Sequence, residues 1–467
     1  MRSLLLVLVL LGCGKVLDKP PGEVCTLDTE CTDPALPFCV GGACSASCEE
    51  SSDCVDPAHP VCAGDGACVG CEEAADCTGA AAPICDTASR ECRGCSADSE
   101  CISGVCIEAE GGCVADDQVA FVADMGADSG DCTRAAPCAT VTFAISQGRR
   151  VIKVLGGNLM TFNSPITLTG DIVLDGDDTQ LASNGTAVTI VEPSTAIVEG
   201  VRVTVPSDPT IPAIKSSGPG AKPILHDITV VPGAGGFGIH VTGSSELTLQ
   251  HSRIGALGSS TKTEVQCQNA QIHVDQNRFE TSFVGVGTGV CEGTITRNRF
   301  ESDRDQSIQM NFGPMVVENN LIIHNMGFND SVLANGMRPG STFRFNTMIN
   351  TTAVPSDGAA ISCDGTIEIT SNVFAYNSGH PITGTGCVTK FSIFDEESVT
   401  SAGTGNQVTA IDAIFVNRTA GDFHLAADSI AKAAGEPGQL MVKIDFEGNP
   451  RPNPAGTNSD CGAFEAP

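Results

Sequence analysis

The sequence contains no Trp and a single Tyr, Tyr376, among its 467 residues. Platforms that stack on sugar rings usually use Trp or Tyr, so the composition disfavours a strong polysaccharide binder of that kind. Basic residues are also scarce: 25 Lys and Arg stand against 56 Asp and Glu, which gives a formal net charge of −31. Because phosphate backbones and anionic lipid surfaces repel such a chain, we expect no nucleic-acid partner.

The sequence also lacks an apolar run long enough to cross a bilayer. Leu4 to Leu11 form the apolar run at the N-terminus, and one basic residue, Arg2, precedes it. This pattern predicts an export signal over residues 1–12. Leu10-Leu11-Gly12-Cys13 resembles the bacterial lipobox, which implies cleavage before Cys13, lipid attachment to Cys13 and a tether over residues 13–24. An ordinary secretory signal with an incidental cysteine is the alternative.

The resemblance to lipoproteins implies a location at the bacterial cell envelope, at the outer membrane or the cell surface. The lipid on Cys13 would then be the only contact with a membrane. Several acyl chains on one residue would anchor the protein firmly, because each buried methylene adds about 0.8 kcal/mol of anchoring free energy.

Cysteine is abundant, and 24 cysteines predict an oxidising compartment. Sixteen of them fall in the segment 25–115, in four sets of four with five residues between the first two cysteines of each set. The sets are Cys25, Cys31, Cys39 and Cys44; Cys48, Cys54, Cys62 and Cys68; Cys71, Cys77, Cys85 and Cys92; and Cys95, Cys101, Cys106 and Cys113. An acid precedes the second cysteine each time, at Glu30, Asp53, Asp76 and Glu100.

Units of about 23 residues are too small to bury a core, so we expect two disulfides in each unit. The pairing within a set stays open. Zinc is the alternative ligand of these cysteines, although zinc sites usually show shorter paired spacings. We interpret the segment as a stalk, with protein binding as the alternative role.

One short motif recurs six times between residues 249 and 376. A small polar residue returns at steps of 25, 21, 22, 26 and 26 residues, with an apolar residue three places before it and another two places after it. The polar residues are Ser252, Asn277, Asn298, Asn320, Asn346 and Asn372. Such a repeat predicts a parallel β-solenoid. Asn suits the bend because it tolerates left-handed backbone angles and can hydrogen-bond locally. Stacked Asn side chains can then bond from coil to coil.

The repeat resembles that of the right-handed parallel β-helix family, whose best-known members are pectin-lyase-like, and the resemblance covers residues 116–395. We therefore expect an all-β fold, preceded by the disulfide-rich module. The apolar residues two places after each polar residue should form one interior column: Ile254, Phe279, Phe300, Ile322, Met348 and Phe374. The segment 119–146 is predicted to cap the start of the coil, with a short helix over 140–146.

The last segment, 396–467, resembles the closing module of bacterial surface β-helix proteins that use varied anchors. The stretches that carry this resemblance are Asp412 to Val416, Asp445 to Pro452 and Asp460 to Glu465. The resemblance implies a C-terminal cap on a coil displayed at the surface.

Two cysteine pairs on the coil are each separated by 24 residues, which is one coil: Cys267 with Cys291, and Cys363 with Cys387. Neighbouring coils stack about 4.8 Å apart, within the Cα range of a disulfide. We therefore predict that each pair forms a disulfide between successive coils. Cys132 and Cys138 are close enough in sequence to close a loop, and Cys461 is left as the free thiol.

Arg253, Arg278 and Arg299 each follow a polar residue of the repeat, and we expect them to form an outward-facing column. His273 and Asp275 share one strand face nearby. In β-helix enzymes a lyase needs a basic residue, often with calcium, and a hydrolase needs two carboxylates. These five residues are therefore the catalytic candidates of a polysaccharide lyase or glycoside hydrolase. A solvated face whose charges offset one another is the alternative.

Four aspartates form an acidic turn and are candidate calcium ligands: Asp171, Asp175, Asp177 and Asp178. A solvated turn is the alternative, and we expect no required cofactor. Taken together, the sequence favours a monomeric surface lipoprotein without catalytic activity, acting in envelope structure, adhesion or ligand binding. A glycan or a surface protein is its expected partner. The enzyme acting on an extracellular glycan is the second hypothesis.

Overall fold

The computed structural model describes residues 38–40, 43–45, 47–48, 50–54, 56–156, 160–161, 165–183, 185–204, 208, 210–231, 237–255, 263–281, 284–302, 306–324, 330–351, 358–375, 381–395, 403–438 and 442–466. The predicted lipidation site Cys13 and the lone Tyr376 lie outside these ranges. The chain divides into two compact units at Cys113. Among the described helices, none has the length and hydrophobicity needed to span a membrane.

The first unit contains short antiparallel strand pairs and 3-10 turns. The strand pairs are Phe38–Val40 with Ala43–Ser45, Val61–Cys62 with Cys68–Val69, Ile84–Asp86 with Glu91–Arg93, and Cys106–Ile107 with Gly112–Cys113. The turns are Ser51–Asp53, Ala74–Asp76 and Asp98–Glu100.

Each complete cysteine set that the structure describes is bonded first to third and second to fourth. The bonds are Cys48–Cys62, Cys54–Cys68, Cys71–Cys85, Cys77–Cys92, Cys95–Cys106 and Cys101–Cys113. This settles the pairing that the spacing left open. The recurring acid closes each turn: the Asp76 carboxylate, for example, accepts from the backbone N–H of Glu72 at 2.8 Å and of Glu73 at 2.9 Å.

The second unit is a parallel β-solenoid with three faces, which we call faces A, B and C in chain order within each coil. Face A comprises Val119–Val122, Val151–Val154, Ile224–His226, Glu246–Gln250, Gln271–Asp275, Glu292–Thr296, Met315–Glu318 and Thr342–Arg344. Face B comprises Met160–Thr161, Thr229–Val231, Arg253–Gly255, Arg278–Thr281, Arg299–Ser302, Leu321–His324, Thr347–Asn350, Val373–Ala375, Ile393–Asp395 and Gln407–Thr409.

Face C comprises Ile166–Gly170, Val188–Ser194, Pro212–Ser217, Phe237–Thr242, Thr263–Gln268, Val284–Gly289, Ile308–Asn311 and Val332–Met337. Four longer strands bend across two faces: Val173–Ala182 and Ile197–Thr204 belong to A and B, and Ile361–Thr370 and Ile382–Lys390 belong to C and A. Each strand pairs in parallel with its counterpart one coil later, as Gln271–Asp275 does with Glu292–Thr296. The helix Val141–Ser146 follows the first strand, and the Thr140 hydroxyl caps it by accepting from the Phe143 N–H at 3.1 Å.

The predicted interior column is confirmed. Ile254, Phe279, Phe300, Ile322, Met348 and Phe374 are all fully buried. The rings of Phe279 and Phe300 stack with their centroids 4.7 Å apart. Such contacts repeat because residues at equivalent positions of successive coils stack on one another in the interior.

An asparagine ladder runs along the corner between faces A and B. The backbone N–H of Asn277 donates to Oδ1 of Asn298 at 2.9 Å, and Asn298 and Asn320 repeat this bond to the next asparagine at the same distance. The expectation that Asn itself takes the left-handed angle is wrong. The left-handed residue stands one place earlier, at Asp227, His251, Gln276, Arg297, Asn319, Phe345, Ser371 and Phe391. The Asn side chain instead satisfies the backbone groups that the bend leaves without a strand partner.

The two disulfides between coils have the predicted partners. Cys267 is bonded to Cys291 and Cys363 to Cys387, with Cα–Cα distances of 6.3 and 5.7 Å. The Cys132–Cys138 bond closes the predicted loop. Cys461 is a free thiol that is fully buried, and burial raises its pKa above the ordinary range.

Residues 403–438 and 442–466, which we call the C-terminal module, pack against the outer side of face B. Its short strand pair is Phe415–Asn417 with Asp422–Leu425, and its 3-10 turns are Ile411–Ala413 and Arg418–Ala420. Apolar residues of both sides form one cluster: Leu321, Ile323, Ile349, Val373, Ala375 and Ile393 from face B, and Ile414, Phe415, Phe423, Leu425, Ala431, Ala463 and Phe464 from the module.

A buried ion pair lies within the module, next to the corner of faces A and B. Arg451 Nη1 lies 2.9 Å from Oε2 of Glu465, and both side chains are fully buried. The Arg451 guanidinium also lies 4.5 Å from the centre of the Phe345 ring. Because an unpaired buried charge is costly, loss of either residue should destabilise the part of the module that contacts Phe345.

Candidate functional site

The three arginines of the predicted column lie on face B in the expected register. Arg253 pairs in strand register with Arg278, and Arg278 with Arg299. Two glutamates, Glu280 and Glu301, stand on the same outer side two residues after Arg278 and Arg299. We call these five residues the arginine–glutamate ladder.

Every arginine of the ladder contacts a carboxylate. Arg253 lies 2.8 Å from Glu280, and Arg278 lies 2.9 Å from Glu280 and 3.1 Å from Glu301. Arg299 lies 2.6 Å from Glu301. Since each glutamate accepts from two arginines, the charges of the column are largely offset along face B.

His273 and Asp275 lie on face A, so the structure does not gather the five candidates on one face. The Asp275 carboxylate accepts from Nε of Arg297 at 2.9 Å and from the Thr296 hydroxyl at 2.7 Å. His273 Nδ1 lies 3.2 Å from the hydroxyl oxygen of Thr294. Asp275 is therefore engaged in holding Arg297 at the corner.

A groove of about 380 Å³ runs beside the ladder. Four arginines line it, Arg253, Arg278, Arg297 and Arg299, together with Phe446 of the C-terminal module. A lyase base must accept a proton from the sugar, and arginine stays protonated in proteins. The positive charges in the groove are therefore already paired with carboxylates, and none of the four arginines can accept a proton.

The four candidate calcium ligands do not converge. The Asp171 carboxylate lies 3.0 Å from Nε of Arg150, and Asp175 forms a buried ion pair with Lys153 at 2.7 Å. Asp177 and Asp178 form a left-handed turn with φ of 46° and 57°. Calcium takes six to eight oxygen ligands. Within the described ranges, the groups of three or more close metal-ligand atoms consist of cysteines that are already in disulfides. Calcium binding stays a prediction.

Sequence reasoning missed a buried carboxyl group, Glu264, on face C. Its side chain has no exposed surface, and neither carboxylate oxygen has a hydrogen-bond partner among the residues that the structure describes. Burial raises the pKa of Glu264 to about 8. Its Oε1 lies 2.8 Å from the position that a Cβ on Gly255 would take, so the glycine makes room for it. A catalytic acid must contact substrate, and Glu264 has no exposed surface through which to do so.

A larger groove, of about 550 Å³, follows the corner between faces C and A, and we call it the corner groove. Successive coils turn this corner with a residue in the left-handed conformation: Ser244, Asn269, Val290, Phe312 and Gly336. Val290 and Phe312 project into the groove, with exposed fractions of 46% and 55%. The sequence carried a signal for this site: an aromatic and a β-branched residue occupy a corner at which neighbouring coils use Ser, Asn and Gly.

No family model matches the sequence, and no curated protein matches it. Solved structures are among the proteins to which the chain is similar. The crystal structure of pectate lyase Pel9A is 13% identical in sequence, with a TM-score of 0.48, over 75% of this chain and 96% of that chain. The crystal structure of Dettilon tailspike protein (gp208) is also 13% identical, with a TM-score of 0.35, over 62% of this chain and 68% of that chain.

Proposed function

We propose that this protein acts by binding and display at a bacterial cell surface, without catalysing a reaction. The observation that carries the proposal is the arginine–glutamate ladder. The residues with the best claim to act on an anionic sugar are bound to one another, as Arg278 is to Glu280 and Glu301. Residues that hold each other in this way fit an outer surface that keeps its shape.

The proposed location rests on the lipobox-like sequence at Cys13 and on the disulfides. Bonds such as Cys267–Cys291 persist in oxidising compartments and are rare in the cytosol. The test is a Cys13→Ser variant produced in a bacterial host and fractionated. We expect the variant to leave the membrane fraction, and its retention there would contradict lipid anchoring.

The proposed absence of catalysis is tested by turnover. The purified chain is incubated with polygalacturonate, alginate, xylan and β-glucan, each with and without calcium. Reducing ends and the absorbance of unsaturated products are then followed. We expect no product above a matched heat-treated control. Product formation that disappears in Arg278→Ala would overturn the proposal and support the lyase or hydrolase.

One observation favours that second function. In a chain with a formal net charge of −31, four arginines line a single groove next to Phe446. If the groove binds a uronate, Glu280→Gln should strengthen the binding of trigalacturonate, because it removes a carboxylate that competes for Arg253 and Arg278. Unchanged or weaker binding in this variant would leave the arginines as surface ion pairs.

A further inference from the structure

We propose that the corner groove binds a linear, uncharged glycan, with the ring of Phe312 as the surface on which a sugar stacks. The proposal rests on the binding function proposed above and adds the chemical class of the ligand. The groove is separate from the arginine–glutamate ladder, because it follows the corner of faces C and A and the ladder lies on face B.

Two residues of this corner differ in type from those that the neighbouring coils use there. The chain turns there with φ of 64° at Ser244, 50° at Asn269 and 58° at Gly336, residue types that suit loops and bends. Val290 and Phe312 take the same conformation, with φ of 56° and 60°. For a β-branched or bulky residue this is a rare and unfavourable conformation. Such outliers are concentrated at binding sites.

Burial does not compensate for this conformation. The Phe312 side chain is 55% exposed and Val290 is 46% exposed. A Cβ on Gly336 would lie 2.6 Å from the Phe312 ring, so the glycine of the next coil lets the ring lie close to its backbone. Phe312 also lines the groove. An exposed aromatic ring in a groove can stack on a sugar ring, a role that Trp and Tyr fill more often than Phe.

The polar lining indicates that the ligand carries no net charge. Two basic side chains, Lys222 and Arg338, and two acidic ones, Glu246 and Glu292, line the groove. Lys222 and Glu246 form an ion pair at 2.8 Å, and Gln271 donates to Glu292. These groups supply both hydrogen-bond donors and acceptors, and their charges balance. Hydroxyl groups of a neutral sugar can bond to both kinds, whereas a uronate would meet as many carboxylates as cations.

An extended peptide fits the groove less well, because it binds best by adding a strand to an open sheet edge. The backbone N–H groups at this corner are already used. Those of Asn269, Val290 and Phe312 each donate to a carbonyl of the next coil, at 3.0, 2.9 and 3.0 Å. The groove therefore offers side chains rather than free backbone, which suits a glycan.

A matched control exists in the same chain. Phe345 also has a left-handed φ, 54°, but it is fully buried and its ring contacts the Arg451 guanidinium. Phe345 therefore contributes to packing, which offsets its backbone conformation. The two phenylalanines should respond in opposite ways to Asn, a residue that tolerates the left-handed region.

The experiment compares the wild-type chain with Phe312→Asn, Val290→Asn and Phe345→Asn. Calorimetric titration uses hexasaccharides of β-1,4-glucose, β-1,4-xylose, β-1,4-mannose and β-1,3-glucose, with trigalacturonate as the charged comparison. Thermal unfolding is measured for each variant.

We expect at least one neutral oligosaccharide to bind the wild-type chain. In Phe312→Asn we expect affinity to fall at least tenfold while the unfolding temperature stays equal or rises. Val290→Asn should behave in the same direction. Phe345→Asn should unfold at a lower temperature and keep its affinity.

Three outcomes would overturn the proposal. The first is that none of the four neutral oligosaccharides binds at millimolar concentration. The second is that Phe312→Asn binds as tightly as the wild-type chain, or loses as much thermal stability as Phe345→Asn. The third is that trigalacturonate, or an uncharged extended peptide used as a further probe, binds at Phe312 in preference to every neutral glycan. Turnover of a glycan would contradict the proposed absence of catalysis but would not bear on binding in the corner groove. Failure of the proposed function can therefore be distinguished from failure of this inference.

Discussion

Face B consists of two stretches that share a repeat and differ in what covers them. At one outward position the register runs from Arg253 through Arg278 and Arg299 to Leu321. At the other it runs from Glu280 and Glu301 to Ile323 and Ile349. The change from charged to apolar occurs within one coil, where the C-terminal module begins to pack.

The comparison shows which positions the repeat determines. Inward residues stay apolar along the whole coil, because the core is continuous. Outward residues follow their local surroundings: charged pairs such as Arg299 with Glu301 where face B is open, and aliphatic residues such as Ile349 where the module lies on it. The outward pattern of a solenoid therefore indicates where a further element docks.

The largest expected effect comes from placing a charge under the module. Ile349 is fully buried against it, so Ile349→Arg should leave a buried charge without a partner and cost about 3–5 kcal/mol. Urea unfolding measures the loss, and limited proteolysis should release the segment 403–466. The matched control is Arg299→Ile on the open stretch, which should change stability little. Equal losses would mean that the two stretches of face B do not differ.

The next effect contrasts the two sides of one strand. Phe300 is fully buried, whereas the side chain of its neighbour Arg299 is 34% exposed. Phe300→Ala should cost about 3–5 kcal/mol, the usual range for a buried Phe. Arg299→Ala should cost about 0.5 kcal/mol or less. Chemical denaturation of both variants checks this, and similar losses would show that the open stretch is more tightly packed than its charges suggest.

The open coils also contain a buried acid that should make stability depend on pH. Because burial raises the pKa of Glu264 from 4.5 to about 8, the folded state binds a proton that the unfolded state releases. This contribution is fully present below about pH 4.5 and is lost as the pH rises to about 8, with a slope that approaches about 1.4 kcal/mol per pH unit. Glu264→Gln should flatten the profile in that window. A profile with the same slope in the variant would assign the dependence to other groups.

The smallest effect concerns the ladder itself. The Arg278 side chain is 51% exposed, whereas Glu280 is buried. Because Arg278 is open to solvent, a double-mutant cycle on the two residues, with alanine at each, should give a coupling energy of about 0.2–1 kcal/mol, as surface ion pairs do. The coupling should weaken in 1 M salt, where the screening length falls to about 3 Å. A coupling well above this range that persists in salt would mean that the ladder is an essential structural element, comparable to the Arg451–Glu465 pair.

Much of the fold could be predicted because the same residue types recur at equivalent positions in successive coils. The spacing of Asn277, Asn298 and Asn320 reports the length of a coil, and the same length pairs Cys267 with Cys291. The cysteine sets could not be resolved in the same way, since four cysteines allow three pairings and spacing alone does not select one.

The candidate site was less accessible to sequence reasoning. The neutralised charge of Arg278 and Arg299 was visible in principle, because Glu280 and Glu301 stand two places after them on the same strand face. The burial of Glu264 was not, since it depends on how the corner beside Gly255 folds. The exposure of Phe312 also depends on its left-handed conformation, which a local pattern does not specify.

The disulfides between successive coils have a consequence for how the solenoid responds to mechanical load. A solenoid pulled from its ends unwinds coil by coil, and each freed coil adds its full contour length. Cys267–Cys291 and Cys363–Cys387 each close a loop of one coil, with a sequence separation of 24 residues. The residues inside those two loops cannot be extended while the bonds persist, and a reducing environment would return that length to the chain. Extensibility under force would thus depend on the redox state of the surroundings.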